Sequence, residues 1–295
     1  MRKDMMTGKL VLKLQAVAEI LSASLSYPRL STRLMRQLPS VIRGRRYGSG
    51  WRSQASPLDA DFADEIANPL ETFFNSRDTG KGIWKWTHYF DVYRRHFQKF
   101  VGREVHVLEV GVYSGGSLEM WRDYFGSNCH VYGLDIREEC RALQNKSTRI
   151  FIGDQADRQF WKRFRQEVPK LDILIDDGGH LPEQQIVTLE EMLPHLRPGG
   201  VFVCEDVHGE FNRFGAYVRG LAASLDTSSQ KVGSGPGKEL LSDAAPFQAD
   251  IHSVHSYTYM TVIEKRVSPV RQFTAPCHGT DWVWPARKPE VSNKP

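Results

Sequence analysis

The chain has no CxxC pair: its four cysteines, Cys129, Cys140, Cys204 and Cys277, are scattered. That excludes a zinc finger or ribbon and a disulfide framework, and Cys204, inside an apolar run, reads as a small core residue. Also missing is any uninterrupted run of the roughly 20 apolar residues that cross a bilayer. The nearest candidate, KLVLKLQAVAEILSASL (9–25), is broken by Lys9, Lys13 and Glu19, and it lacks the clean apolar block and cleavage site of a secretory signal. Net positive charge is missing from most of the chain. Residues 1–50 hold ten Lys/Arg against two acids, a net of +8, so with +4 overall the other 245 residues carry −4. A nucleic-acid reader needs a basic stripe on its folded core, and none is expected here. With no disulfide pattern, a cytoplasmic setting is expected.

The N-terminal region has a pattern of its own. Leu10, Leu14, Val17, Leu21 and Leu25 share one face of a helix over 9–25, which suits docking on another subunit or on a membrane surface. An Arg-rich, acid-poor targeting segment is a third reading. A homo-oligomer is expected, with peripheral membrane contact as the other use of this face. Residues 37–58, rich in Arg, Gly and Ser, read as a linker. The chain therefore divides into a basic helical extension and linker (1–58), a main domain (59–266) and a tail (267–295) that shows no periodicity.

From residue 105 strand and helix patterns alternate. VHVLEV (105–110), HVYGLD (130–135), RIFIGD (149–154), DILID (172–176) and GVFVCED (200–206) are short apolar runs, separated by helical patterns over 117–125, 157–168 and 182–196. A further helix is expected over 211–225, burying Phe211, Phe214, Val218, Leu221 and Leu225. Residues 226–247 read as a loop, and 250–266 as a closing hairpin. Such alternation predicts an α/β fold: a doubly wound, Rossmann-like, mostly parallel seven-stranded sheet with a C-terminal antiparallel hairpin.

Acids end these strands. Adjacent strands lie about 4.8 Å apart, so Asp177, Glu205 and Asp206 can share one crevice with His180 beside them. Three hard oxygen donors suit Mg²⁺ or Mn²⁺. The first strand runs into Glu109-Val-Gly111-Val-Tyr-Ser114-Gly115-Gly116 and then a helix, with Asp135 ending the second strand. A dinucleotide fingerprint would be GxGxxG, and its middle glycine, which lets a pyrophosphate approach, is missing. S-adenosylmethionine, which has no phosphate, fits better than NAD. Glu109 would lie near the methionine ammonium, the turn from Gly111 through Ser114, Gly115 and Gly116 against the ligand, Asp135 at the ribose hydroxyls, and Asp154-Gln155 at adenine. Plainer roles stand beside these: Gly111 and Gly115 as turn glycines, Asp154 as a helix cap (although Asp157 is better placed), His180 as the cap of the helix near Pro182, and Asp177 as an ion-pair partner. Trp84, Trp86 and Tyr89 either wall an acceptor site or pack in the core.

With these residues assembled, the chain resembles the class I S-adenosylmethionine-dependent methyltransferases, and within them the macrocin and mycinamicin type of sugar O-methyltransferase. The likeness covers about 71–266, through GKGIWKWTHYFDVYRRHF, HVLEVGVYSGGSLEMWRDYF, ILIDDGGH, GGVFVCED and SVHSYTYMTVIEK. It implies that Asp177, Glu205 and Asp206 are Mg²⁺ ligands, His180 the general base and Asp176 a cofactor contact, with His208 a second candidate base. Gly179 stands where the family usually has serine. The acceptor implied is a hydroxyl on a glycosylated metabolite, a glycolipid or another small molecule. Two other readings remain: an oxidoreductase or hydroxylase-like enzyme on the same scaffold, and a non-catalytic cofactor-binding partner of a larger assembly.

Overall fold

A computed structural model describes residues 22, 24–51, 67–209, 212–227, 230–231, 240–276 and 278–279. The chain divides into two compact units, Met1–Glu65 and Ile66–Pro295. In the first, helix α1 (Pro28–Ser49) starts on a proline at N1, where the missing N–H is no loss. It corrects the linker expected over 37–58, because the helix runs on through Pro39, Gly44 and Gly48 to Ser49. Leucine and arginine, good helix formers, recur in nearly every turn and outweigh a composition that looks loop-like. Of the helix expected over 9–25, residues other than 22, 24 and 25 lie outside the described residues, as do 52–58 and Phe211.

The second unit is built on one seven-stranded sheet. Its strands are β1 (Val105–Val110), β2 (Cys129–Asp135), β3 (Thr148–Ile152), β4 (Leu171–Asp176) and β5 (Leu196–Cys204). Two short strands follow in the chain, β6 (Gln230–Lys231) and β7 (Leu240–Asp243), and then β8 (Ile251–Tyr257), β9 (Met260–Lys265) and β10 (Gln272–Ala275). The sheet order is β3-β2-β1-β4-β5-β9-β8. The first five strands are mutually parallel, while β9 runs antiparallel to β5 and closes a hairpin with β8. β1 and β4 are buried along their whole length, as central parallel strands covered on both faces should be. Alternation still sorts the residues. Val105, Val107, Ile173, Ile175, Val201 and Val203 pack on one face under α2 (Pro69–Asn75), α3 (Tyr89–Phe97) and α4 (Gly116–Phe125), where Tyr93, Trp121 and Phe125 fill the layer. Leu108, Val110, Leu174 and Phe202 pack on the other, under α5 (Arg158–Glu167), α6 (Pro182–Met192) and α7 (Arg213–Ala223), with Trp161, Phe164, Val187 and Phe214.

Two expected irregular segments contain strands. β7, inside the stretch read as a loop, pairs with β10 from the tail, and β6 adds to β7 to make a separate three-stranded antiparallel sheet. These strands are two to four residues long, too short for an alternating pattern to emerge from the sequence.

The register is what places the site. Val110 pairs with Asp176 and Asp176 with Cys204, so β1, β4 and β5 end level. The ladder extends one step further, with the Asp177 N–H donating to Val110 O (2.9 Å) and the Glu205 N–H to Asp176 O (2.8 Å). The strand order reverses between β1 and β4, and ligands of open α/β sheets bind at such a switch, beyond the carboxyl ends of the strands.

Candidate active site

Over those strand ends lies a cavity of about 700 Å³, a size suited to a cofactor or drug-sized ligand. Its lining includes Gly111, Ser114, Asp135, Asp154, Gln155, Asp177, His180, Glu205 and Asp206, together with Trp84, Trp86 and His208. Four candidates, Glu109, Gly115, Gly116 and Asp176, lie behind this surface rather than on it.

The glycine turn is tight for a reason internal to the protein. Gly111 has φ +89°, and a Cβ there would come within 2.0 Å of the Asp177 carbonyl oxygen. The missing side chain lets the β1 and β4 ends touch, so the turn admits the neighbouring loop as much as any ligand. A Cβ on Gly179 would meet Gln184 Oε1 at 2.2 Å, and that oxygen accepts the Leu181 N–H at the start of α6. A side chain here would need the Gln184 amide to shift.

Each acid has defined partners. Asp135 Oδ2 accepts the N–H groups of Val112 (2.9 Å) and Tyr113 (3.0 Å), and Oδ1 that of Arg137 (2.9 Å). These bonds hold its carboxyl below the usual range against the opposing effect of burial. Asp154 accepts the Ala156 N–H, while the cap of α5 is Asp157, whose carboxylate accepts the Gln159 N–H. Asp154 thus stays exposed at the cavity edge. Gln155 donates to Asp176 Oδ1 (3.0 Å) and accepts the Gly179 N–H (2.7 Å), so it braces the loop that carries Asp177 and His180. Asp176 is buried with Oδ2 unpartnered, and burial pushes its carboxyl up to about 6.

The residue that sequence reasoning passed over is Lys85. Its side chain is 2% exposed, and Nζ lies 2.6 Å from Asp177 Oδ2, 3.0 Å from Glu205 Oε2 and 3.4 Å from Glu109 Oε1. Burial alone would lower its pKa, but Asp177, Glu205 and Glu109 outweigh that and hold it well above the ordinary lysine value. Tyr93 Oη also donates to Glu205 Oε1, at 2.5 Å. Burial raises the Glu205 pKa, with Asp177 adding to the rise and Lys85 opposing it. Lys85 Nζ contacts both Glu205 oxygens, at 3.1 and 3.0 Å, a double contact that favours the charged form. The geometry is that of a carboxylate. Glu109, fully buried, accepts from Ser117 Oγ at 2.7 Å. The only sequence signal for Lys85 was its place between Trp84 and Trp86.

Closer to solvent, Asp177, His180 and Asp206 bring one ligand atom each to within 4.8 Å of one another. Glu205 is not in this trio. Asp206 Oδ1 accepts from Trp86 Nε1 (3.0 Å) and Tyr89 Oη (3.0 Å), with His208 Nε2 at 3.1 Å; Oδ2 is 3.6 Å from His180 Nε2. Tyr89 is core-buried with its hydroxyl on the site, Trp86 half-exposed and Trp84 88% exposed, so the three aromatics divide between core and cavity wall. Positive φ is uncommon for non-glycine residues, yet His180 (+55°) and Asp206 (+53°) both adopt it, and strain of this kind gathers at functional sites.

Residues 108–207 match the family model described as a methyltransferase domain. The chain is 33% identical over 207 residues to demethylmacrocin O-methyltransferase of Streptomyces fradiae, covering 63% of this chain and 50% of that protein. It is 30% identical over 202 residues to 8-demethyl-8-alpha-L-rhamnosyl tetracenomycin-C 2'-O-methyltransferase of Streptomyces olivaceus, covering 64% of this chain and 53% of that protein. Among solved structures it is similar to MycE methyltransferase from the mycinamycin biosynthetic pathway, in complex with Mg and SAH, with TM-score 0.53, 26% identity, 68% of this chain and 54% of that one covered. The fold is Rossmann-like, as in methyltransferases, and residues 108–207 resemble a methyltransferase domain. More particularly, that domain resembles those of the macrocin and mycinamicin type of sugar O-methyltransferase. The chain spans about half the length of these relatives.

Proposed function

We propose that the protein is an S-adenosylmethionine-dependent O-methyltransferase, assisted by Mg²⁺ or Mn²⁺, acting on a hydroxyl of a sugar-bearing small molecule. The observation that carries this is one cavity holding both the glycine turn after β1 and the Asp177–His180–Asp206 cluster. The named relatives support the class of acceptor, since one is named for a rhamnosyl compound, and the solved neighbour, in complex with Mg and SAH, supports the metal and the methyl donor.

The donor set fits a hard cation. Asp177 and Asp206 would hold it, with His180 adjacent. Direct ligation by Glu205 requires Lys85 to release that carboxylate, so Glu205 serves here as the inner anchor of Lys85. When bound, a divalent cation lowers the pKa of an acceptor hydroxyl and orients it. The protein's own residues do the rest. Gly111, Ser114, Asp135, Asp154 and Gln155 line the side where the methyl donor lies, Glu109 and Asp176 supporting it from beneath, with Gly115 and Gly116 letting α4 start beside the turn. His180 takes the hydroxyl proton at Nε2, imidazole being the side chain best suited to general-base work near neutral pH. Asp206 Oδ2, 3.6 Å from the same nitrogen, stabilises the imidazolium once that proton has been taken. His208, on the other oxygen of Asp206, is the second candidate base. Methyl transfer is an in-line displacement, so the main demand is alignment, which the level strand ends and the braced 177–180 loop supply.

The test is isothermal calorimetry with S-adenosylmethionine and with NAD, followed by release of S-adenosylhomocysteine against a panel of glycosylated macrolide and polyketide acceptors, with Mg²⁺ and with EDTA. Binding of NAD in place of S-adenosylmethionine would end the proposal. Turnover unchanged by EDTA would remove the metal from it. Cofactor binding with no turnover on any acceptor would favour a non-catalytic partner.

A further inference from the structure

Helix α1 lies outside everything used for methyl transfer, and none of its described residues is buried. Leu30, Leu34, Leu38, Val41 and Ile42 are each more than half exposed. At 3.6 residues per turn these five fall on one side of the helix, within an arc of about 120°. Arg29, Arg33, Arg36, Arg43 and Arg46 fall on the opposite side, while Arg45 falls within the apolar arc, one turn beyond Val41, where a long side chain can carry its charged head back to the headgroup level. No Asp or Glu occurs between Glu19 and Asp59. The 22 residues of this helix are not apolar enough to cross a membrane.

We propose that α1 lies in the plane of an anionic lipid surface, its aliphatic stripe in the acyl boundary and its arginines at the headgroups. A basic polar face opposite an apolar one is the pattern of an interfacial helix, and anionic headgroups attract such basic segments. Charge decides among occupants. A second copy of α1 packed on the stripe would cover the aliphatic side chains but leave the arginine face without a counter-charge, since the segment holds no acid. A nucleic acid would satisfy the arginines but leave five aliphatic side chains in water. An anionic bilayer satisfies both faces at once. The inference does not depend on the Ile66–Pro295 unit transferring a methyl group.

The experiment is flotation of the full chain with vesicles of phosphatidylcholine alone and with vesicles containing phosphatidylserine, at low and high salt. Binding is expected to the phosphatidylserine vesicles alone, and to weaken at high salt. Replacing two arginines (Arg33→Gln with Arg36→Gln) should weaken it roughly 20- to 30-fold, and the pair Leu34→Glu with Leu38→Glu should abolish it. S-adenosylmethionine binding, retained by both variants, serves as the folding control. Equal binding to both vesicles, or to neither, overturns the proposal, as does binding that survives the leucine pair. Concentration-dependent dimerisation that the leucine pair removes, without vesicle binding, would assign the stripe to a second copy. Capture of RNA in preference to vesicles would assign the arginines to nucleic acid.

Discussion

The inner and outer halves of the cavity use the same chemistry to opposite ends. Inside, Glu109 and Glu205 are buried and closed around Lys85, with Ser117 and Tyr93 supplying further donors. Outside, Asp177, Asp206, His180 and His208 are partly exposed; the ligand atoms of the first three converge, with Lys85 reaching Asp177 from within. A buried carboxylate is costly unless paired and hydrogen-bonded, so the inner set must be completed by the fold. The outer set can leave part of its valence for something that arrives. Asp177 belongs to both, and through it Lys85 links the structural half to the reactive one.

The largest effect expected from separating the halves is on turnover. His180→Ala should lower it about 10²- to 10⁴-fold with S-adenosylmethionine affinity unchanged, read as the rate of S-adenosylhomocysteine release beside a binding isotherm. A greater loss from His208→Ala would exchange the roles of the two histidines. The next effect is on stability and belongs to the inner half. Lys85→Met leaves two buried carboxylates uncompensated and should cost about 3–5 kcal/mol by urea denaturation. Asp206→Asn, in the outer half, keeps an acceptor for Trp86 and Tyr89 and should cost less than about 2 kcal/mol. Equal losses would dissolve the distinction. Tyr93→Phe removes one donor from Glu205 Oε1, a loss of about 1.5–3 kcal/mol for a bond to a charged group, without touching the outer residues.

How much of this the sequence declares follows the same division. The alternation of short apolar runs with helical patterns, and the acids that end each run, identify the parallel sheet and its functional edge, because a period of 2 or 3.6 and a carboxylate at a strand end are local signals. His180 is legible for the same reason, sitting in ILIDDGGH. Lys85 is not. A lone lysine among aromatics reads as a solvated head on an apolar stem, and its three carboxylate partners lie 24, 92 and 120 positions away. Gly111 was legible as a glycine that matters, but the atom it makes room for, the Asp177 carbonyl, is a tertiary fact. β7 and β10 stabilise each other across 29 residues, from Asp243 to Gln272, and neither carries a pattern alone. Helix α1 was hidden by its glycines and serines until its two faces were seen together.

A last substitution sharpens the contrast by repeating an ion cluster where water can reach it. Glu264, on β9, lies 3.2 Å from His96 Nδ1 and 3.0 Å from Lys99 Nζ, and Lys99 is 43% exposed. The hydrogen bond with His96 and then the charge of Lys99 hold the Glu264 carboxyl down to about 2 against the opposing effect of burial. A carboxyl depressed in the folded state stabilises the protein fully above its unfolded pKa, near 4.5, and that contribution is lost as pH falls toward 2. Discounted for solvent screening at an exposed lysine, it amounts to about 1–2 kcal/mol. Glu264→Gln should therefore lower stability by that much at neutral pH, and its difference from the unsubstituted protein should shrink as pH falls below 4.5. Urea denaturation from neutral pH down toward pH 3 measures both. A difference that stays constant over that range would mean the side chain contributes packing and not charge. A loss as large as that of Lys85→Met would mean that burial is not what sets the two clusters apart.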